Sequence, residues 1–334
     1  MQVIVAGAGA LGSVLGGYLA EAGASVTLLA RKPHAEAIQA HGLVIDGIRG
    51  QHHVRNVRAV ANPEALGHAD LLILAVKSYD TGETLAGLRH LQGKIGGALS
   101  IQNGGGKDEA LAEAFGSEAV IGATCIVGGA MTAPGRVAHT FDGATWIGEL
   151  DGRSSSRVES IATLFRSAEL PIEVRADIAS ATWCKLNQMV PAAALSCVTW
   201  FPLHQIYLDR GLATLFVELS REMAPIAERQ QIPLGDFQGF PVKTLCSQPF
   251  EAAVESVQAR GRAMRDRGMT QVKISTLQDL ERGKRTEADH TVGYVVRLAA
   301  RFGIAVPKLD ALYRVIQGLE AAPAAAGTAA STPA

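Results

Sequence analysis

The sequence predicts an α/β protein with two domains: an N-terminal parallel sheet flanked by helices, followed by an all-helical C-terminal part. Two observations predict it. From residue 1 to about 177, apolar strand-like runs alternate with helical segments. From 178 to about 320, apolar residues recur at helical spacing without convincing alternating strands. We therefore expect domains at 1–177 and 178–320, followed by a disordered Ala/Pro/Thr/Ser tail at 321–334.

The strand, turn and helix start that open the chain are its strongest local signal. An apolar run at 3–6 leads into Gly7-Ala8-Gly9-Ala10-Leu11-Gly12, and a second strand-like run at 26–29 completes a βαβ unit. In such a turn the first glycine permits the turn, the second lets a pyrophosphate approach the backbone, and the third lets helix pack on strand. The motif predicts a dinucleotide site, with the phosphates against Gly7, Gly9, Ala10, Leu11 and Gly12.

Two basic residues after the second strand-like run bear on the choice of cofactor. An NAD site usually carries Asp or Glu there to bind the ribose 2′-hydroxyl, whereas this chain has Arg31 and Lys32. Arg31 suits a 2′-phosphate, because a guanidinium binds phosphate oxygens in a bidentate manner. The alternative is a solvated basic pair at a strand end. We expect the cofactor to be NADPH or NADP+.

Two further strand-like runs end in polar residues. Lys77 follows the buried run 70–76, and Asn103 follows the run 98–101 and precedes three glycines. Ligands of open α/β sheets bind at the carboxyl ends of the strands, so Lys77 and Asn103 are placed to contact cofactor or substrate. For Asn103 the alternative is an ordinary Asn-Gly turn.

The rest of the first domain is predicted to extend the same sheet. The β-rich runs are Val120–Val127, Arg136–Thr140 and Thr145–Gly148, followed by a helix near 157–168 and a strand near 172–175. The pair His52-His53 lacks a further residue at metal-ligand spacing, so we interpret it as a polar strand edge and expect no metal.

Composition excludes several classes of protein. The net charge is −1, which gives no indication of nucleic acid as a partner. No run approaches the length of an apolar membrane span. The four cysteines show no ligand spacing and are expected to be reduced thiols of a cytoplasmic enzyme. Apolar helix faces would permit a homodimer.

Two polar segments interrupt the helical part. Lys185 lies in a predicted helix after Trp183; exposure to solvent is the default, and a position in an interdomain cleft is the alternative. Downstream, Gly283 is expected to separate two helices, with Thr286 a candidate N-cap of the second. Glu287 would then lie in the first turn, near the positive end of that helix.

Together these residues resemble the ketopantoate reductase (2-dehydropantoate 2-reductase) family from residue 1 to about 318. The motifs that carry the resemblance are Gly7-x-Gly9-x-x-Gly12, Arg31, Lys77, Gln102-Asn103-Gly104, Trp183-x-Lys185-Leu186, Leu277-Gln278-Asp279 and Arg285-Thr286-Glu287-x-Asp289. The resemblance implies a Rossmann domain, a helical domain like that of 6-phosphogluconate dehydrogenases, and NADPH-dependent reduction of a 2-keto acid to the D-hydroxy acid in pantothenate biosynthesis.

The resemblance also implies roles for individual residues. Lys185 is the general acid that protonates the developing alkoxide, and Glu287 orients that lysine or binds the substrate. Ser275 helps to hold the substrate carboxylate. Lys77 and Asn103 line the junction of nicotinamide and substrate.

The chain departs from the family where the substrate should bind. Family members carry asparagines four and eight residues after the catalytic lysine, where this chain has Met189 and Ala193. A third polar position, after Pro202, is Leu203. Either neighbouring side chains supply the lost hydrogen bonds, or the pocket accepts a bulkier apolar or aromatic 2-keto acid. A non-catalytic module that senses NADP(H) is a further alternative, against which the retained Lys185 argues.

Overall fold

The computed structural model describes residues 1–321. Its contacts form two compact units that divide between Thr182 and Trp183, inside a helix that runs over Ile178–Thr199. A domain boundary after Asp177, at the start of this helix, stays a prediction. Ala321, the first residue of the predicted tail, is still helical, and the rest of that tail lies outside the described residues.

The first unit is built on three sheets. Its strands are β1 (Gln2–Ala6), β2 (Ser25–Leu29), β3 (Leu43–Gly47), β4 (His52–Val54), β5 (Val57–Val60), β6 (Leu71–Leu74), β7 (Ala98–Ser100), β8 (Gly122–Cys125), β9 (Gly128–Ala133), β10 (Arg136–Phe141), β11 (Thr145–Gly148) and β12 (Ile172–Val174). Its helices are α1 (Ala10–Glu21), α2 (Lys32–His41), α3 (Thr81–Gly87), α4 (Lys107–Phe115) and α5 (Ser156–Ser167).

The largest sheet is parallel, with the strand order β5-β2-β1-β6-β7. Alternate residues of β1 face two different apolar cores: Val3 and Val5 lie in one, Ile4 and Ala6 in the other. Burial on both faces explains the continuous apolar run at the start of the chain. The strand order reverses between β1 and β6, and this reversal is the point at which open α/β sheets bind ligands.

The prediction that the runs between 119 and 149 extend the parallel sheet holds only at Val120, which forms one parallel bridge to Ala98 in β7. The strands of these runs belong to two other sheets. Strands β9 and β10 form an antiparallel hairpin, joined through Gly135 at φ +75°, and β10 pairs with β3 in the order β4-β3-β10-β9. Strands β8, β11 and β12 form a third sheet. A tight turn makes consecutive strands pair in antiparallel fashion, so β9 and β10 pair with each other and do not extend the parallel sheet. The position of β4 at an edge confirms the interpretation of His52-His53.

Helices make up most of the second unit. Helix α6 (Ile178–Thr199) enters it and is followed by α7 (Leu203–Leu208), α8 (Arg210–Arg229), α9 (Val242–Ser247), α10 (Phe250–Asp266), α11 (Ser275–Glu281), α12 (Val292–Phe302) and α13 (Pro307–Ala321). A short hairpin, β13 (Asp236–Phe237) and β14 (Phe240–Pro241), was not expected, because two-residue strands leave no alternation to recognise. Across residues 1–321, none of the helices combines the length and apolar character that crossing a bilayer requires.

Apolar faces of seven helices, α6 to α10, α12 and α13, build the core of this unit. Helix α8 presents buried side chains at helical spacing, among them Phe216 and Met223, and these pack in one cluster with Val190, Val257 and Val295. Three of the cysteines are buried, and within residues 1–321 none of the four is in a disulfide, in line with the expectation of reduced thiols.

A buried histidine joins the first glycine turn to a distant hairpin. The Nδ1 atom of His34 accepts a hydrogen bond from the Gly135 N–H at 2.8 Å, so the ring proton is on Nε2, 3.0 Å from the hydroxyl of Ser13. That hydroxyl donates to the Ala8 carbonyl at 3.2 Å. Burial lowers the pKa of His34, because the charged ring would lose water and face an N–H donor.

The stability of the protein should therefore fall on mild acidification. Since the pKa of His34 is depressed from its ordinary 6.5 in the folded state, the unfolded chain binds the extra proton more readily as the pH drops below that value. We expect the free energy of unfolding, measured with urea between pH 8 and pH 5.5, to decrease. His34→Asn, which retains an acceptor near Nδ1, should reduce this dependence, and His53→Asn on the exposed edge should not. An unchanged pH dependence in His34→Asn would refute this explanation.

Candidate active site

Every cofactor residue predicted in the first unit lies at one edge of the parallel sheet. Gly7 follows β1, Arg31 lies just beyond β2, Lys77 beyond β6 and Asn103 beyond β7. These four strands are neighbours and all run in the same direction. Their carboxyl ends therefore meet, and the structure places the predicted residues together along this edge.

The glycine turn fits a dinucleotide phosphate. Gly7 has φ +103°, and a Cβ atom there would lie 2.5 Å from the backbone nitrogen of Val76. A Cβ atom on Gly12 would lie 2.4 Å from the Gly7 carbonyl oxygen. Gly9 differs, because a Cβ atom there would meet nothing within 4 Å. The first and third glycines are thus needed for packing, and the second leaves space where a ligand can approach the backbone.

The start of α1 adds electrostatic support for an anion at this place. Gly9 is the N-cap residue and makes no side-chain capping bond, and the first turn, with Ala10 and Leu11, carries no acidic residue. The N–H groups at a helix N-terminus are directed outwards and carry partial positive charge. A pyrophosphate suits this arrangement.

Arg31 lies next to a carboxylate that the sequence analysis did not consider. Its guanidinium nitrogen is 3.6 Å from a carboxylate oxygen of Asp80, and the Arg31 side chain is 87% exposed. Asp80 belongs to a 3₁₀ turn at Ser78–Asp80 that follows Lys77. The exposed guanidinium is accessible to a phosphate, but it is held beside a negative charge that a 2′-phosphate would also approach.

A buried glutamine links the loops that carry Lys77 and Asn103. The Gln102 amide nitrogen donates to the Val76 carbonyl at 2.9 Å and to the Thr81 hydroxyl at 2.7 Å. Its amide oxygen accepts a hydrogen bond from Ser100 at 2.9 Å. The role of Gln102 was not recognised from sequence, although a polar residue ending an apolar strand signals a specific hydrogen-bond partner.

The second unit holds the predicted catalytic pair in buried positions. Lys185 is 7% exposed and Glu287 is 6% exposed, so the default expectation of a solvent-exposed lysine is wrong. The residues that follow them, Leu186 and Ala288, belong to the same apolar core. Charged side chains are seldom buried without partners or function, which makes both residues candidates for chemistry.

The local structure at Glu287 differs from the expectation. A 3₁₀ turn at Ala288–His290 follows it, and α12 begins only at Val292, so Glu287 precedes the helix instead of lying in its first turn. The Thr286 hydroxyl accepts from the Ala288 N–H at 3.0 Å and donates to Glu320 at 2.6 Å. Thr286 thus fixes the turn after Glu287 and does not cap α12; its bond to α13 could not be read from local spacing. Gly283, at φ +61°, does separate the two helices.

The predicted substrate residues of the second unit lie on three helices. Met189 and Ala193 follow Lys185 at four-residue spacing on α6, so they share its face; Met189 is half-buried and Ala193 is buried. Leu203 begins α7 and is half-buried, whereas Ser275 begins α11 and is exposed. Three of these four side chains are apolar.

Two buried amides near Lys185 are committed elsewhere. The Asn187 amide nitrogen donates to the Ser220 carbonyl at 3.0 Å, whereas its buried Oδ1 atom has no hydrogen-bond partner among the described residues. The Gln188 amide donates to the Tyr207 hydroxyl at 2.8 Å and accepts from Arg260 at 3.0 Å. The Gln188 amide is bonded at both its nitrogen and its oxygen, and Asn187 lies on a different face of α6 from Lys185, so neither replaces the two asparagines that α6 lacks. Within the described part of the chain, no cluster of His, Cys, Asp and Glu suits a metal ion.

Comparisons with known proteins identify the family. The family model of ketopantoate reductase PanE/ApbA matches residues 3–152, and the model of the C-terminal part of ketopantoate reductase PanE/ApbA matches residues 177–320. The 2-dehydropantoate 2-reductase of Pyrococcus abyssi is 33% identical over 96% of this chain and 98% of its own length. The crystal structure of a PanE/ApbA family ketopantoate reductase from Ralstonia eutropha JMP134 has a TM-score of 0.80 and 30% identity, covering 96% of this chain and 98% of that one.

A further solved structure shares the fold. D-mandelate dehydrogenase, in a ternary structure with NADH and anilino(oxo)acetate, has a TM-score of 0.81 and 21% identity, covering 96% of this chain and 98% of that one. The family matches, the parallel sheet and the buried lysine and glutamate lead to one assignment: the chain belongs to the ketopantoate reductase family of nicotinamide-dependent oxidoreductases acting on CH–OH groups.

Proposed function

We propose that the protein uses NADPH to reduce a 2-keto acid to a D-2-hydroxy acid, in the manner of a 2-dehydropantoate 2-reductase. The observation that carries the proposal is the burial of Lys185 and Glu287 in a chain whose sheet edge fits a dinucleotide. The names of several relatives, among them that of Halobacterium salinarum at 30% identity over 95% of this chain, support it.

The chemistry requires a proton donor at the substrate carbonyl. A bound nicotinamide would supply the hydride for the carbonyl carbon, and the oxygen would then carry negative charge. Lys185 is the proposed general acid, because its ammonium stabilises that charge and transfers one proton to the oxygen. Glu287 is proposed to hold the lysine in position, and burial of both strengthens their electrostatic effect.

The remaining residues bind and orient. Lys77 and Asn103, at the ends of neighbouring strands, are proposed to contact the nicotinamide end of the cofactor and the substrate. Ser275, exposed at the start of α11, is proposed to bind the substrate carboxylate. Arg31 is proposed to select NADP(H) by binding the 2′-phosphate.

A second candidate substrate class follows from the apolar residues of α6 and α7. Each substrate hydroxyl left unpaired against Met189, Ala193 or Leu203 would cost about 1–3 kcal/mol. Because the Gln188 amide is already bonded and Asn187 lies on another face of α6, the pocket favours a 2-keto acid with a bulky apolar or aromatic side chain over ketopantoate. The fold shared with D-mandelate dehydrogenase is compatible with this class.

The substrate can be identified by following NADPH oxidation with ketopantoate and with phenyl- and branched-chain 2-keto acids. We expect turnover, with a higher kcat/KM for the apolar acids, because those side chains lose no hydrogen bonds. Lys185→Ala should lower kcat by about 100-fold or more and leave NADPH affinity nearly unchanged, since the general acid is lost. An unchanged rate in Lys185→Ala would contradict the mechanism. If the protein binds NADPH but turns over none of the acids, the result would favour the non-catalytic module that senses NADP(H).

Cofactor selection is tested at Arg31 and Asp80. Arg31→Ala should weaken NADPH binding about tenfold and leave NADH binding unchanged, because only NADPH carries the 2′-phosphate. Asp80→Asn should tighten NADPH binding about threefold, since the carboxylate beside Arg31 repels that phosphate. Both affinities are measured by fluorescence titration. Equal losses for the two cofactors in Arg31→Ala would show that Arg31 does not read the 2′-phosphate.

A further inference from the structure

Lys107 makes an unusual set of contacts behind the turn that carries Asn103. The turn runs through Gly104 at φ +96° and Gly106 at φ +78°, and Lys107 begins α4 immediately after it. The Lys107 side chain does not reach solvent, because the residue is only 6% exposed. Its Nζ atom instead donates to three carbonyl oxygens, those of Ser100 at 3.0 Å, Gln102 at 3.3 Å and Ala123 at 2.6 Å.

The charge state of Lys107 follows from these acceptors. Burial lowers the pKa of the Lys107 ammonium, but only the ammonium has three N–H groups for three carbonyl oxygens, whereas a neutral amine would direct its lone pair at one of them. The neighbouring Asp108 opposes this shift, because its charge raises the pKa of Lys107, although burial raises the pKa of Asp108 itself to about 6. The carbonyl oxygens are the hydrogen-bond acceptors of the ammonium, and they stabilise it together with that charge.

The three carbonyls come from segments that must be held together at the sheet edge. Ser100 ends β7 and Gln102 directly precedes Asn103, so two of the bonds bracket the start of the turn. Ala123 lies in β8, which belongs to another sheet. The Gln102 side chain continues the connection, since it donates to the Val76 carbonyl just before Lys77.

Lys107 thus lies at the centre of a chain of contacts that ends at both predicted nicotinamide contacts. We infer that Lys107 is a positioning residue: it fixes the Gln102-Asn103 turn so that Asn103 meets the nicotinamide end of the bound cofactor. The inference rests on the proposed function for the identity of that cofactor. Lys107 itself touches neither cofactor nor substrate.

The experiment compares Lys107→Met with Lys94→Met, which changes an exposed lysine of the same unit. Two ligands are titrated into each variant: NADPH, and 2′-phospho-ADP-ribose, which lacks the nicotinamide. Lys107→Met should weaken NADPH binding about fivefold to tenfold, because the nicotinamide end reaches Asn103. The affinity for 2′-phospho-ADP-ribose, which lacks that end, should stay unchanged. Lys107→Met should also lower kcat about tenfold. Lys94→Met should change the affinity for neither ligand.

A double-mutant cycle separates positioning from general destabilisation. If Lys107 acts through Asn103, adding Lys107→Met to Asn103→Ala should change NADPH affinity and kcat little further. Additive losses, equal weakening of both ligands, or no weakening would each overturn the inference. Should Lys107→Met fail to fold, Lys107→Gln, which retains two donors, replaces it under the same criteria. A wild-type protein that binds NADPH but reduces no 2-keto acid would refute the proposed function and leave the binding test of Lys107 intact.

Discussion

The close approach of the β1–α1 turn to the end of β6 is the constraint on which the first unit depends. Gly7 lies so close to Val76 that any side chain would collide with the backbone, and Gly12 packs against Gly7 in the same way. This packing sets the start of α1 against the sheet and brings Val76, and with it Lys77, to the edge. Gln102 then bonds to the Val76 carbonyl, so the same contact also orders the turn before Asn103. One tight turn thereby arranges three of the four strand ends that form the candidate cofactor site.

Sequence reasoning succeeded where the signal was local and periodic. The glycine turn, the parallel strands and the residues at their carboxyl ends follow from alternation of apolar runs and turns, and the structure confirms their placement along one edge. The pairing of β10 with β3 was not predicted, because residues 136–141 and 43–47 are far apart in sequence. The expectation that Lys185 is exposed was wrong for a related reason: the spacing of residues in α6 does not show which other helices pack around it.

The hydrogen bonds that Lys107 and Thr286 form next to the candidate site residues were also not predicted from the sequence. Lys107 follows three glycines and precedes an acidic residue, a pattern typical of an exposed helix start, yet its nitrogen is buried among carbonyls of β7 and β8. Thr286 fitted the pattern of a helix cap, yet it bonds to Glu320 from a distant helix. In both cases the decisive partner is far away in the chain. Such residues order the backbone beside the proposed cofactor-binding and catalytic residues.

Gly9→Ala tests whether a dinucleotide binds at the second glycine of the turn, on the sheet edge. A Cβ atom at Gly9 meets nothing in the protein, and its φ of −75° suits alanine, so the thermal unfolding temperature should match that of the wild type. Gly67→Ala, at another exposed glycine with open space, is the matched control. We expect the affinity for NADPH, measured by calorimetry, to fall about tenfold or more in Gly9→Ala and not in Gly67→Ala, because the methyl group occupies the space of the pyrophosphate. Wild-type affinity in a correctly folded Gly9→Ala protein would contradict it.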